Sequence, residues 1–290
     1  MAENFDSFLF TGDDGLMLKG FHWQPTIEYP MGIIILVHGM GEHVMRYAEF
    51  IHSLQSSGFI VYGMDLRGHG DSEGKRGHAR GTNYIDDLEN LMKIARAEFN
   101  DLPMILYGHS TGGNIALNYL LKKKTREISA VILSAPWLQL HDQPNKLVIM
   151  LVKFISKLIP FMRVPFKITP DQLTSDAEKM KEIEKDPKLF RKISVSNFYG
   201  LDISGKWNIR NAYKLKTPCL LMHGTKDTVT SYQASQKIAQ EADHVIEFKS
   251  WESSKHELHQ DRDRKKIMDF VKNWIFKILD QKSESLNFYS

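Results

Sequence analysis

Unbroken apolar runs alternate along this chain with segments whose apolar positions recur at helical spacing. Residues 32–37, 59–65, 104–107 and 130–134 are continuous and rich in β-branched side chains. That is the pattern of strands buried on both faces of a parallel sheet. Between them, 44–57 reads as a helix closed by Gly58, and 83–99 carries Ile85, Leu88, Leu91, Met92, Ala95 and Phe99 at helical spacing. Upstream, 5–10 and 16–23 read as two short strands around the turn Gly12-Asp13-Asp14-Gly15. This alternation predicts an α/β fold with a mostly parallel central sheet and helices on both faces. From Trp137 to Lys206 it breaks. No buried-strand run appears there, and helical segments are punctuated by Pro144, Pro160, Pro165, Pro170 and Pro187. It then resumes with a strand at 218–223, a helix at 231–242, a strand at 245–249 and a terminal helix at 263–281. The expected organisation is a core in two parts, 1–136 and 207–290, interrupted by a mainly helical cap at 137–206.

Within the cap, 146–163 stands out. Helical spacing puts Lys146, Lys153 and Lys157 on one narrow stripe, with leucine, valine, isoleucine, methionine and phenylalanine over the rest. A helix this apolar either packs on the core and lines a pocket or lies at a lipid interface. The packed reading is preferred, and both readings favour an apolar substrate.

Composition narrows the partners. Apolar content of 42% and charged content of 25% fit a globular chain, and a net charge of +3 over 290 residues, with no basic helix face, gives no support to nucleic-acid binding. The sole cysteine, Cys219, sits in an apolar run, so it reads as a buried, inert thiol in a reducing compartment. The opening residues are acidic and lack the basic segment of a secretory leader. Together these point to a cytoplasmic protein with, at most, peripheral membrane contact.

The chemistry gathers around Gly108-His109-Ser110-Thr111-Gly112, between a buried strand and a helix. Gly-x-Ser-x-Gly in that setting lifts the serine hydroxyl clear of the sheet at a tight turn. A nucleophile needs a base and a carboxylate to orient it, on loops at the carboxyl ends of strands. Asp227, in His223-Gly224-Thr225-Lys226-Asp227, and His256, in Lys255-His256-Glu257-Leu258-His259, occupy such loops. His259 competes for the base role, and His256 is preferred because it lies nearer the strand end. The order serine, aspartate, histidine is that of α/β-hydrolases. After the third strand, His38-Gly39-Met40-Gly41 supplies an oxyanion loop, with the N–H groups of Met40 and Thr111 as donors.

These segments, with Glu42-His43 and Arg46-Tyr47 and the loop Asp65-Leu66-Arg67-Gly68-His69-Gly70-Asp71-Ser72-Glu73-Gly74, resemble the monoacylglycerol lipase and lysophospholipase-like branch of the α/β-hydrolases. That branch is also grouped with serine aminopeptidase-type hydrolases. The resemblance implies Ser110, Asp227 and His256 as a catalytic triad and Met40 and Thr111 as oxyanion donors. Two departures stand out. Thr111 replaces the methionine that commonest follows the serine, and the cap matches only at Lys185-Asp186-Pro187 and Ile193-Ser194.

The expected activity is hydrolysis of a lipid carboxylic ester, foremost monoacylglycerol, through an acyl-enzyme. This chemistry needs no metal or organic cofactor. The partner expected is a lipid ester substrate, with peripheral membrane contact through 146–163 as the alternative to packing; the sequence does not fix an oligomeric state. Rival readings are a lysophospholipase, a carboxylesterase for short or aromatic acyl groups, an aminopeptidase, and a non-catalytic binding protein of the same fold.

Overall fold

The computed structural model describes residues 5–25, 27–80, 82–123 and 127–287. The first four residues, on which part of the leader reading rests, lie outside the described residues. Strands β1 (Phe5–Thr11) and β2 (Met17–Trp23) form the expected antiparallel hairpin. Strand β3 (Gly32–Val37) is buried at every position. A short 3₁₀ turn at Val44–Tyr47 leads into α1 (Ala48–Gln55), then come β4 (Phe59–Met64) and α2 (Asn83–Glu98). Strand β5 (Met104–His109), α3 (Thr111–Lys123) and β6 (Ile128–Ser134) complete the first part.

The next stretch holds α4 (Lys146–Leu158), β7 (Arg163–Pro165), α5 (Pro170–Leu173), α6 (Ala177–Lys185), β8 (Lys192–Ser194) and α7 (Val195–Asn211). Strands β9 (Cys219–Gly224) and β10 (Ile246–Trp251) follow, flanking α8 (Tyr232–Glu241), and α9 (Arg264–Asn287) ends the fold.

The eight-stranded sheet has the order β1-β2-β4-β3-β5-β6-β9-β10. Pairings β1–β2 and β2–β4 are antiparallel, and those from β4 to β10 are parallel. The apolar runs of β3, β4, β5 and β9 are buried throughout because helices cover both faces. One apolar cluster joins α2, α3 and α7 to one sheet face, and the other joins α1 and α9 to the opposite face. Parallel β3, β5, β9 and β10 all deliver their carboxyl ends to the same edge. The loops that carry Met40, Ser110, Asp227 and His256 therefore meet there.

Four expectations change in the stretch after β6. It contains a small antiparallel sheet, β7 with β8, whose three-residue strands are too short to show a period. Helix α7 runs unbroken past the expected boundary at residue 206. The helix expected over 146–163 stops at Leu158, because a residue before proline leaves the helical region and Pro160 follows Ile159. The preferred reading of that helix is corrected in part: it packs against α7, with Ile149, Val152 and Ile155 half-buried, but lines no part of the Ser110 cavity. None of α4's residues is buried, and Leu147, Met150, Leu151, Phe154 and Leu158 are exposed. Among the described residues, no helix is long and apolar enough to cross a membrane.

Candidate active site

Ser110 sits where β5 turns into α3, with a left-handed backbone at φ 51°. A non-glycine residue there is strained, and the surroundings must hold it. They do so with three hydrogen bonds. Ser110 N–H donates to Ser134 O at 2.9 Å, and Ser110 O accepts from Trp137 N–H at 2.8 Å and Asn114 N–H at 3.1 Å. The flanking glycines are required by space. A Cβ on Gly112 would lie 2.0 Å from Val37 O, and one on Gly108 would lie 2.5 Å from Gly112 O. The turn thus presses against β3, which brings the oxyanion loop beside the serine.

Asp227 follows β9 and is almost fully enclosed. Its Oδ1 accepts the N–H groups of Val229 at 2.7 Å and Thr230 at 3.0 Å. Its Oδ2 receives the Thr230 hydroxyl at 2.9 Å and His256 Nδ1 at 2.7 Å, and lies 2.9 Å from His223 Nε2. Burial opposes ionisation of this carboxyl, but the charge of His256 and hydrogen bonds from His223 and His256 outweigh it. The pKa is held well below the usual carboxylate range. The same contact works in reverse on His256. Burial disfavours its charged form, yet the Asp227 charge and hydrogen bond raise its pKa above the ordinary histidine value. With Nδ1–H committed to Asp227, His256 Nε2 is left to accept a proton.

His259, the competitor, lies elsewhere. Its ring stacks on Tyr47 at 4.0 Å, and neither of its nitrogens has a hydrogen-bond partner among the described residues. Burial drives its pKa well below the ordinary value. His109 separates the two, with ring centroids 4.8 Å from His256 and 5.1 Å from His259.

Ser110, Met40 and His256 line one cavity of about 120 Å³. Among the described residues, no hydrogen bond joins the Ser110 hydroxyl to His256. Such contacts are often long in ligand-free sites and tighten when substrate binds. Met40 sits in the loop fixed by Gly39 N–H, which donates to Glu42 Oε1 at 2.5 Å. Thr111 opens α3, and the first N–H groups of a helix have no acceptor within it.

The family profile described as serine aminopeptidase, S33, matches residues 28–263. The chain belongs to that family. This hydrolase is 30% identical to a monoacylglycerol lipase of Mycolicibacterium smegmatis, over 92% of this chain and 95% of that one. It is 28% identical to an uncharacterized abhydrolase domain-containing protein of Dictyostelium discoideum. That match covers 98% of this chain but only 30% of the relative's length. Its fold matches a soluble variant of monoglyceride lipase from Saccharomyces cerevisiae, solved with a substrate analog. The TM-score is 0.84, with 94% of each chain covered and 23% identity. It is thus a carboxylic ester hydrolase of the monoacylglycerol lipase-like branch, on an α/β-hydrolase fold.

Most of the hydrolase's cavity wall is apolar, with Trp137, Leu140, Phe166, Phe190 and Phe198 prominent. Its polar lining includes Glu42, Arg46 and Glu257, which form one ion-paired cluster. These three are absent from the sequence-based site, as is His223, the second histidine on Asp227. The Glu42–Arg46 pair was visible only as an i,i+4 spacing of opposite charges. Nothing in the sequence joins either to Glu257. Among the described residues, no group of three or more histidine, cysteine, aspartate or glutamate side chains is placed to hold a metal.

Proposed function

We propose that this hydrolase cleaves monoacylglycerol to glycerol and a fatty acid, with Ser110 as nucleophile, His256 as general base and acid, and Asp227 as its orienting carboxylate. His256 Nε2 takes the Ser110 proton as the oxygen attacks the ester carbonyl. Asp227 keeps the imidazole in the right tautomer and stabilises its charged form. The N–H groups of Met40 and Thr111 receive the oxyanion, which costs no reorganisation because backbone donors are fixed beforehand. The alcohol leaves with the proton from His256, and water then cleaves the acyl-enzyme by the same route.

The observation that carries this reading is the Asp227–His256 couple at 2.7 Å, beside a strained Ser110, on a mostly apolar cavity that the Glu42–Arg46–Glu257 cluster also lines. An acyl chain suits the apolar wall, and the hydroxyls of glycerol suit the polar side chains. Residues 137–206 act as the cap over this cavity. The bare apolar face of α4, with Lys146, Lys153 and Lys157 beside it, meets the lipid surface that holds the substrate. The M. smegmatis relative, named for monoacylglycerol hydrolysis, supports the substrate class.

The size of the cavity favours one rival. At about 120 Å³ it suits a short acyl group better than a long one. A series of p-nitrophenyl esters of rising chain length, run beside monoacylglycerols and lysophospholipids with and without vesicles, decides between them. Preference for medium or long chains and for monoacylglycerol supports the proposal. A steep fall beyond short chains makes the protein a short-acyl carboxylesterase. Retention of esterase activity by Ser110→Ala overturns the assignment of the nucleophile.

A further inference from the structure

Glu257 follows His256 directly, and the proposed chemistry does not use it. Its carboxylate is buried, and Oε2 accepts Arg46 Nη2 at 2.5 Å. The same guanidinium serves a second carboxylate, with Arg46 Nε 3.5 Å from Glu42 Oε2. Glu42 in turn accepts the Tyr47 hydroxyl at 2.7 Å, besides Gly39 N–H. Two buried carboxylates thus share one buried cation, which leaves a surplus negative charge beside the site once Glu257 is ionised. The groups acting on Glu257 come from two places. Glu42, Arg46 and Tyr47 come from the segment after β3, and His256 and Asp261 from its own loop. His109 faces His256 and His259. Asp261 is occupied elsewhere, by the N–H groups of Ser175 and Lys255 and the Ser175 hydroxyl. Stability explains such a cluster poorly, because well-packed apolar side chains in place of buried ions are often as stable or more so.

We infer that Glu257 is a positioning residue for ester hydrolysis: its Arg46-held carboxylate, together with Asp227, favours the imidazolium that forms on His256 as Ser110 loses its proton. The chain Gly39–Glu42–Arg46–Glu257 also ties the oxyanion loop to the His256 loop. The inference rests on the Ser110–His256–Asp227 reading above. The Glu257 charge is present in full only above about pH 7. Burial pushes the Glu257 carboxyl up to about 7, with the Glu42 and Asp261 charges adding to the rise and Arg46 opposing it. The Glu257 charge is also among the influences that raise His256, behind Asp227.

The test compares the full-length protein with Glu257→Gln, Glu257→Met and Glu257→Asp. Two rates are followed from pH 5 to 9, kcat/KM for p-nitrophenyl butyrate and the rate of labelling by a fluorophosphonate probe. Without the carboxylate, the acid limb assigned to His256 moves down by about half a pH unit or more. The plateau above pH 8 falls about three- to tenfold. The aspartate variant keeps the wild-type midpoint and recovers most of the rate. A merely structural role lowers the whole curve without moving its midpoint, and that result, or an aspartate variant no better than glutamine, overturns the inference. Methionine, of similar length and uncharged, answers the same question if the glutamine variant does not fold. Absence of labelling in the wild-type protein at every pH overturns the triad reading, and this inference with it.

Discussion

Asp227 Oδ2 is 2.7 Å from Nδ1 of His256 and 2.9 Å from Nε2 of His223, so one carboxylate oxygen holds two imidazoles. The two contacts have different consequences. Asp227→Asn removes the charge that orients His256 and is expected to lower kcat for a p-nitrophenyl ester by about 10⁴ with little change in fold. His223→Gln keeps a donor toward Asp227 and is expected to cost far less, about tenfold or below. Steady-state rates with circular dichroism on both variants check this. Equal losses in the two would remove the special status of His256.

The pH profile follows from His256. Its pKa is raised above 6.5, burial notwithstanding, by the Asp227 charge and hydrogen bond. The base must be neutral to act, so kcat/KM is expected to fall as pH drops through a midpoint above 6.5. An acid limb centred below 6 in the wild-type protein would contradict the pairing.

Stability has its own pH dependence, from histidines buried in their neutral form. Burial lowers His38, His109 and His259 and brings His69 down to about 3. A depressed folded pKa means that the unfolded chain binds more protons below about 6.5. The stability these residues contribute is present above that pH and is lost as pH falls toward their folded values. Each accounts for up to about 1.4 kcal/mol per pH unit in that range. Urea midpoints are therefore expected to drop steeply between pH 6.5 and 4.5. A flat dependence there would show that the four are accessible to protons in the folded protein.

Arg67 holds the loop after β4. Its Nε and Nη2 reach both oxygens of buried Asp87, at 2.6 and 2.7 Å, and Nη1 reaches Asp14 at 2.7 Å. Arg67→Ala strands the Asp87 charge and is expected to cost about 3–5 kcal/mol. Replacing Arg67 and Asp87 together by methionine and leucine is expected to recover much of that. Denaturant unfolding of the single and double variants measures both.

Helix α4 predicts the opposite combination. Leu151 and Phe154 are 57% and 61% exposed, so Leu151→Ser with Phe154→Ser is expected to shift unfolding free energy by no more than about 0.5 kcal/mol per site. Turnover of monoacylglycerol in vesicles is expected to fall severalfold, while turnover of a soluble short ester stays unchanged. Loss of both activities would return α4 to the packed role first expected of it.

How far the sequence could be read varied along the chain. Strands such as β3 and β9 were readable because burial on both faces imposes an unbroken apolar run. The meeting of Ser110, Asp227 and His256 at one edge was readable because a parallel sheet fixes where its loops must lie. The meeting of Glu257 with Arg46 was not, since 211 residues separate them and neither needs a local signal. Helix α4 misled for another reason. An apolar helix face has the same sequence whether it covers a core or stands bare, and only the assembled neighbours distinguish the two.

That bare face frees α4 from a constraint that binds the rest of the chain. A core position such as Ile35 or Leu36, with no exposure at all, cannot change without disturbing its neighbours. On the exposed face of α4, turned away from α7, size and polarity can drift with little penalty in folding, because little packs around them. The part of the molecule that meets its surroundings can therefore be retuned separately from the part that does the chemistry. Variants with new lipid preferences should be sought on α4 first, where the fold tolerates them.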